Sequence, residues 1–246
     1  MTTRSQSSPT PHRRASSPLT QCLTALAGTP DDSSRITSQL ATIAQLAADL
    51  VEPVSYASIT AHHDDGYTTV AASSDVALAV DEAQYADRAG PCLIALDGGL
   101  PVAVPDISTT MQWPGFRNEA FALGLRASLS IPLFAGRGTA IAALNLYGRD
   151  REAMAPLTAA VWSAFDSDEP AADAELQPLD SGSAGLVAGI AGAFSVRALI
   201  HQAVGMIIAD TQRTGDAAYL ILRLRAAEKG FTLPATAAAV IAEQLL

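Results

Sequence analysis

An acidic segment that lacks clusters of large apolar residues, residues 166–183, divides the sequence into two parts with different apolar periodicity. Before this segment, short alternating runs bounded by turn residues predict β-strands, whereas after it apolar residues recur only at helical spacing. The stretch from Phe165 to Ser183 carries six acidic side chains and no basic one, which is typical of a solvated connection. We therefore predict two folded units joined by a linker.

Four segments are predicted along the chain. Residues 1–32 are rich in Ser, Thr, Pro and Arg, and we expect a flexible leader because such a segment buries too little apolar surface to become ordered. Residues 33–165 form the first predicted domain, residues 166–183 the acidic linker and residues 184–246 a small helical domain. The predicted fold class is α+β, an antiparallel sheet flanked by helices and followed by a three-helix bundle.

The first domain combines predicted helices with predicted strands. A helical period runs from Ile36 to Leu50 and ends before Pro53. Turn residues at 64–66 and 136–138 favour hairpins, and hairpins favour an antiparallel sheet. The predicted strands are Val54–His62, Tyr67–Ala72, Pro101–Val104, Ser128–Phe134 and Ala140–Tyr147, and further helices are predicted over Asp81–Leu96, Phe116–Leu123 and Pro156–Phe165.

The second domain has helical spacing throughout. Its first apolar stripe consists of Leu186, Ile190, Phe194, Leu199, Ala203 and Ile207. We expect the part from Leu186 to Phe194 to form a helical contact between two subunits. Asp216 is the predicted N-cap of a second helix over Ala217–Lys229, and Gly230 is its predicted end. Pro234 fits the first turn of a third helix.

Composition excludes several classes of protein. A net charge of -10 argues against a simple basic nucleic-acid binder, but the tail from residue 184 carries five basic and four acidic side chains and remains open to a polyanion. Cys22 and Cys92 are too few for a disulfide framework and fit no metal spacing. No apolar run precedes Cys22 as a signal peptide requires, and none approaches the roughly 20 residues of a membrane helix. We expect a reduced, cytoplasmic protein without a membrane segment.

A series of short motifs lies in the first domain. These are DEAQY (81–85), GPCL (90–93), VPD (104–106), WP (113–114), ALGLRAS (122–128), IPL (131–133) and ALNLY (143–147). In this order they resemble the GAF family, in the version common among regulators of transcription. The resemblance implies a small-molecule pocket beside the sheet. Its candidate lining residues are Tyr56, Tyr85, Trp113, Phe116 and Asn145. The alternative is that these aromatic residues are core and that the domain serves mainly for dimerisation.

A second set of motifs lies in the tail. These are Arg197, Ile200, QAVGM (202–206), AY (218–219), LR (222–223), Ala226, Leu233, Ala237 and VI (240–241). They resemble the ANTAR domain, an RNA-binding antitermination module. The candidate RNA-binding residues that follow are Arg197, His201, Gln202, Arg223, Arg225 and Lys229. The tail departs from the family at Val204, where a lysine is common, and at Pro234, where an arginine is usual. The alternative for these charges is an ordinary solvated helix face.

No catalytic residue, metal site or cofactor is predicted. GAF-type methionine sulfoxide reductases rely on several cysteines, whereas the first domain has Cys92 alone, which is expected to be structural. His62 and His63 are adjacent in a strand, so they point to opposite faces and cannot share a metal, and a solvated strand end is expected. Paired carboxylates, a Gly-rich phosphate loop and a nucleophile beside a base are all missing from the sequence.

The expected function is therefore a non-enzymatic regulator. A GAF sensor would control a dimeric ANTAR output that binds stem-loops in nascent transcripts and prevents terminator formation. Two alternatives remain. One is a dimerising protein-interaction module that has lost RNA binding, for which Val204 and Pro234 are the support. The other is an enzyme that uses the GAF pocket.

Overall fold

The computed structural model describes residues 16–64, 66–166 and 178–244. Residues 1–15 of the predicted leader, 167–177 of the predicted linker, Asp65 of the predicted turn and the last two residues lie outside the described residues. Within the described part, a five-stranded sheet carries helices on both faces, and helices follow it along the chain. The predicted α+β class is confirmed.

The sheet has the strand order β2-β1-β5-β4-β3, and each neighbouring pair is antiparallel. The strands span Tyr56–His63 (β1), Gly66–Ala72 (β2), Val102–Val104 (β3), Ala127–Ala135 (β4) and Thr139–Gly148 (β5). Residues that lie opposite each other share a face, so the pair Ile131 and Leu144 lies on one face and the pair Ser130 and Asn145 on the other. Every residue of β4 is buried, because helices cover both faces.

The helices of the first domain form two layers. Helices α2 (Ile36–Leu50) and α6 (Arg151–Phe165) lie on the apolar face, and α3 (Asp75–Asp87), α4 (Pro91–Gly98) and α5 (Pro114–Ala122) lie on the other. The prediction of one helix over Asp81–Leu96 is wrong at its centre. Arg88 has a left-handed backbone with φ 50° that ends α3, and Pro91 opens α4.

Helix α1 (Pro18–Ala27) lies inside the segment predicted as a flexible leader, and the prediction is wrong for these residues. Ser17 caps the helix by accepting a hydrogen bond from the Thr20 backbone N–H at 3.1 Å. One face of α1 is buried against the core, including Leu23. The residues around α1 are rich in Ser and Pro, and this composition predicts disorder although the segment itself has a short helical period.

Helix α7 (Ser181–Thr211) runs through the predicted boundary between linker and tail at residue 183. Its first half belongs to the core of the sheet, where Leu186 and Ile190 are buried. Glycines line its contact with α1, and a Cβ added at Gly189 would lie 2.6 Å from Leu23 Cδ1. The expected subunit contact from Leu186 to Phe194 is therefore used inside one chain, and the two predicted domains share a helix.

The tail is the predicted three-helix bundle. Helices α8 (Gly215–Lys229) and α9 (Leu233–Gln244) pack against the second half of α7. The N-cap of α8 is Thr214 rather than the predicted Asp216, because the Thr214 hydroxyl accepts a hydrogen bond from the Ala217 N–H at 3.4 Å. Gly230, with φ 66°, ends α8 as predicted, and Pro234 lies in the first turn of α9 as predicted.

Helix α7 is 31 residues long and contains an 18-residue window with a mean hydropathy of 1.6. By length and composition alone it could cross a membrane, so the prediction that no run approaches a membrane helix is wrong. One such helix is weak evidence, because the core helix of a globular protein passes the same test. Its buried residues pack against both the sheet domain and the tail bundle.

Candidate functional site

A row of small polar side chains crosses the sheet face beneath α3, α4 and α5. Ser58 of β1 lies opposite Asn145 of β5, which in turn lies opposite Ser130 of β4. All three residues are buried. Residues that lie opposite each other point to the same face of the sheet. These three polar side chains therefore form a polar patch within an otherwise apolar layer.

Asp81 of α3 is the acidic group at the centre of this patch, and it is fully buried. Its Oδ1 accepts hydrogen bonds from the Tyr147 hydroxyl at 2.5 Å and from Asn145 Nδ2 at 3.3 Å, and its Oδ2 accepts one from the Thr69 hydroxyl at 2.8 Å. Burial raises the pKa of Asp81 to about 6, although the hydrogen bonds favour the charged form. The carboxyl group therefore loses its proton at a pH closer to 7 than an exposed aspartate does.

Tyr85 of α3 connects the outer strand to this patch. Its hydroxyl lies 2.8 Å from Thr69 Oγ1 and 2.9 Å from Thr60 Oγ1, and Asn145 Nδ2 donates to Thr60 Oγ1 at 2.9 Å. Burial raises the pKa of Tyr85, so its hydroxyl stays protonated. We call this connected set the buried polar cluster. It consists of Ser58, Thr60, Thr69, Asp81, Tyr85, Asn145 and Tyr147.

Two polar atoms on this face have no hydrogen-bond partner among the described residues. They are Asn145 Oδ1 and Ser128 Oγ, and both are buried. A buried polar atom without a partner costs about 1–3 kcal/mol. A small polar ligand or an ordered water that offers a donor here would remove part of that cost. These two oxygen atoms are thus the positions on this face that could accept a further hydrogen bond.

Cys92 lies at the start of α4, next to the buried polar cluster. Gln84 Oε1 accepts a hydrogen bond from the Cys92 backbone N–H at 3.0 Å, and a Cβ added at Gly90 would lie 2.3 Å from the same oxygen, so only glycine fits there. The Cys92 side chain is fully buried, and this burial raises the pKa of its thiol. A protonated, inaccessible thiol is a poor nucleophile.

The structure places the five candidate ligand residues in three locations. Tyr85 and Asn145 belong to the buried polar cluster. Trp113 and Phe116 pack edge to face, with ring centroids 6.4 Å apart, in the neighbouring apolar core. Tyr56 lies at the rim, where its hydroxyl accepts a hydrogen bond from Arg149 at 2.8 Å. The geometry therefore brings two of the five to one polar site.

The comparison with known families concerns this part of the chain. The sequence matches the GAF domain family over residues 36–166, which is more than half of the chain. The chain belongs to the GAF domain family. The matched range contains all five strands of the sheet and the buried polar cluster, and it ends before the tail. No curated protein matches the sequence significantly.

Two solved structures are similar to parts of this chain. One is a type II free methionine-R-sulfoxide reductase from Thermoplasma acidophilum, with 13% identity and a TM-score of 0.34 over 56% of this chain and 88% of that one. The other is a GAF domain/HD domain protein from Geobacter sulfurreducens, with 13% identity and a TM-score of 0.33 over 66% of this chain and 95% of that one. Similarity at this level supports no statement about activity.

A second group of polar residues lies where the tail contacts the GAF domain. Arg223 of α8 places Nη2 at 2.7 Å from Asp32 Oδ1 and 2.6 Å from Oδ2. The Tyr219 hydroxyl donates to Asp31 Oδ1 at 3.2 Å. The hydrogen bond from Arg223 lowers the pKa of Asp32. Asp31 and Asp32 lie in the loop between α1 and α2, so this acidic loop holds α8 against the GAF domain.

The hairpin turn between β4 and β5 completes this contact. Arg137 lies 3.2 Å from Asp31 and 2.8 Å from Asp216, and its backbone carbonyl lies 3.0 Å from His201 Nε2. Because a carbonyl oxygen can only accept, His201 Nε2 must carry the proton of this bond. The guanidinium of Arg197 lies 4.4 Å from the centroid of the Phe134 ring.

The six candidate RNA-binding residues therefore fall into two groups. Arg197, His201 and Arg223 face the GAF domain, where they contact Phe134, Arg137 and Asp32 respectively. The others are on the remaining tail surface: Gln202 is exposed, Arg225 is half-buried, and Lys229 lies 3.8 Å from Glu243. The geometry thus brings three of the six, from α7 and α8, to one face of the tail, which we call the cationic face.

The two adjacent histidines lie at the end of β1. His62 Nε2 is 3.3 Å from Asp97, His63 Nε2 is 3.4 Å from Asp64, and both side chains are more than half exposed, at 56% and 71%. Within residues 16–64, 66–166 and 178–244, no group of three or more His, Cys, Asp or Glu side chains could hold a metal ion. The histidines thus have separate carboxylate neighbours and share no site.

Sequence reasoning missed most of the buried polar cluster. Asp81 and Tyr147 enter the sequence argument only as parts of family motifs, Thr60 marks only the alternation of a strand, and Thr69 belongs to no motif. The available signal is alternation: Ser58 and Thr60 are polar at every second position, between the apolar residues Ala57, Ile59 and Ala61. Asp31 and Asp32 gave no comparable signal, since two aspartates in a Pro-rich turn are common on protein surfaces.

Proposed function

We propose that the chain is a cytoplasmic, non-enzymatic transcription antitermination regulator that acts as a homodimer. Its GAF domain would sense a small polar signal, and its tail would bind RNA stem-loops in nascent transcripts. A signal that binds one conformation of the GAF domain more tightly would favour that conformation. The resulting change in RNA affinity could not exceed the ratio of the signal's affinities for the two conformations.

The sensing part of the proposal is carried by the buried polar cluster. A polar network at the centre of a domain is costly unless every group is paired, and Asn145 Oδ1 has no partner among the described residues. The neighbouring Asp81 and Tyr85 offer a carboxyl group and a hydroxyl within the same network. This arrangement supports recognition of a small molecule with hydrogen-bond donors.

The RNA-binding part is carried by the cationic face of the tail. Arg197, His201 and Arg223 come from two different helices, yet they lie around the same hairpin turn and acidic loop of the GAF domain. Structured RNA is bound largely through its phosphates and by shape, so a compact group of cations on a rigid bundle suits it. The resemblance of the tail to ANTAR domains also supports RNA binding.

The proposal is tested by crosslinking the protein to RNA in its own cells and sequencing the bound fragments. A recovered stem-loop, labelled with fluorescein, is then titrated with purified protein at several salt concentrations. We expect Arg197→Ala with Arg223→Ala to weaken binding and to reduce the slope of log K against log salt by about 1–2, because each arginine neutralises one phosphate.

Arg213→Ala is the matched control, because Arg213 is exposed near the end of α7 and outside the cationic face. This variant loses one positive charge, as each single variant Arg197→Ala or Arg223→Ala does, and it should keep most of the affinity. Equal affinity of the wild type and the double variant would contradict the assigned contacts. Failure to recover any stem-loop would contradict the RNA-binding function itself.

A second function is favoured by an apolar surface on the tail. Leu220, Leu224 and Phe231 are about half exposed, and they lie beside a groove of about 1140 Å³ between α1, α8 and α9. Exposed apolar clusters of this kind are typical of protein interaction sites. A tail that has lost RNA binding would use this surface, and the crosslinking experiment separates the two functions.

A further inference from the structure

We propose that Asp31 and Asp32 act as an intramolecular substitute for RNA phosphates and mask the cationic face of the tail. The inference rests on the proposed RNA-binding function and concerns its regulation. Arg223, a candidate RNA contact, is bound by both carboxylate oxygens of Asp32. A carboxylate presents an arginine with the same kind of anionic oxygen pair that a phosphate does. RNA and the acidic loop therefore compete for one guanidinium.

The second aspartate holds the residues around Arg223 in place. Asp31 accepts a hydrogen bond from the Tyr219 hydroxyl and lies 3.2 Å from Arg137 Nε. The guanidinium carbons of Arg137 and Arg223 lie 5.3 Å and 5.9 Å from the centroid of the Tyr219 ring, so the ring is close to both cations. The acidic loop thus compensates positive charge on both sides of the domain contact.

The hairpin turn covers Arg197 and His201 on α7. A Cβ added at Gly138 would lie 2.5 Å from His201 Nε2 and 2.9 Å from Arg197 Nε, so the turn lies directly against both side chains, and its φ of 85° favours glycine. Arg197 Nε is itself buried and has no hydrogen-bond partner among the described residues. A phosphate oxygen would supply that partner once the turn moved away.

The contact is built to be reversible. Each ion pair has one member that solvent reaches, because Asp32 is 63% exposed beside Arg223 at 27% and Arg137 is 46% exposed beside Asp31 at 22%, and ion pairs near the surface are screened by salt. Ser128 lies in β4 and Asn145 lies in β5, and the hairpin turn joins these two strands at their shared end. A signal bound at the buried polar cluster therefore has a direct structural connection to the turn that covers α7.

The test compares RNA binding by the full chain with that of Asp31→Asn/Asp32→Asn, using a fluorescein-labelled RNA with two stem-loops. We expect the variant to bind about 3- to 10-fold more tightly, because it releases one ion pair to the tail, Asp32–Arg223, and one hydrogen bond to the tail, from Tyr219 to Asp31. Glu82→Gln/Glu152→Gln is the matched control, because it removes two negative charges from exposed residues of the GAF domain. This control should bind RNA within about twofold of the wild type.

A further variant asks whether the gain comes from the released arginine. When Arg223→Ala is added to Asp31→Asn/Asp32→Asn, the tighter binding should be lost. Equal RNA affinity of the wild type and Asp31→Asn/Asp32→Asn, or an equal gain in the charge-matched control, would overturn the masking while leaving RNA binding intact. If no variant binds RNA at any salt concentration, the proposed function fails, and the masking inference fails with it.

Discussion

The protonation of Asp81 gives a quantitative test of the buried polar cluster. The folded protein raises the pKa of this carboxyl group from 3.8 to about 6, mainly because burial removes water from the charged form. The folded state therefore holds the proton more tightly than the unfolded chain. The resulting stability is fully present below about pH 4 and is lost as the pH rises to about 6, since above that value both states are ionised.

The magnitude follows from the two pKa values. A tenfold difference in proton affinity corresponds to about 1.4 kcal/mol, so the change from 3.8 to about 6 is worth about 3 kcal/mol. Asp81→Asn removes the titrating group and keeps a side chain of similar shape. We therefore expect the free energy of unfolding of this variant, relative to the wild type, to improve by about 2.5 kcal/mol between pH 4 and pH 7.5, slightly less than the full value because the unfolded chain is already partly ionised at pH 4.

The assay is urea unfolding followed by tryptophan fluorescence at a series of pH values. Low protein concentration is needed, because the isoelectric point of about 4.7 lies inside the range. Asp75→Asn is the control: Asp75 begins the same helix but is exposed, so its variant should follow the wild-type pH dependence. The reasoning is refuted if Asp81→Asn and the wild type keep a constant stability difference over the whole series.

Two further predictions concern α1 and Cys92. Leu23→Ala should lower the free energy of unfolding by about 2–5 kcal/mol, because Leu23 is a buried core residue, and denaturant titration would show no change if residues 18–27 were a flexible leader. A thiol reagent should label Cys22 in the native protein but reach Cys92 only after unfolding, because Cys92 is fully buried. Rapid labelling of two thiols under native conditions, measured with Cys92→Ser as the reference, would contradict that placement.

The parts of the fold that the sequence predicts are those with a clear period. The five strands and helix α2 were found because apolar residues recur every second or every third and fourth position within each segment. Helix α1 is not predicted, because its period of Leu19, Leu23 and Leu26 is short and lies in Ser- and Pro-rich sequence, and because its partner Gly189 lies far away in sequence. A local reading of composition cannot register a close helix contact that forms only in the folded chain.

The residues of the candidate site also divide into those that the sequence predicts and those that it does not. Tyr85 and Asn145 could be chosen in advance, because aromatic and amide residues of family motifs are natural ligand contacts. Asp81 could not, since an acidic residue in a helix is normally exposed and its burial results from the docking of α3 on the sheet. The contact between Arg223 and Asp32 joins residues at opposite ends of the chain, and no spacing rule relates them.

The continuity of α7 has a mechanical consequence. At about 1.5 Å per residue, its 31 residues form a rod about 46 Å long that is embedded in the GAF core at one end and is the axis of the bundle at the other. A tilt of only about 5° at the embedded end would displace the far end by about 4 Å, which is larger than any hydrogen bond tolerates. A rearrangement of less than about 1 Å beside the sheet would thus become a larger displacement at α8.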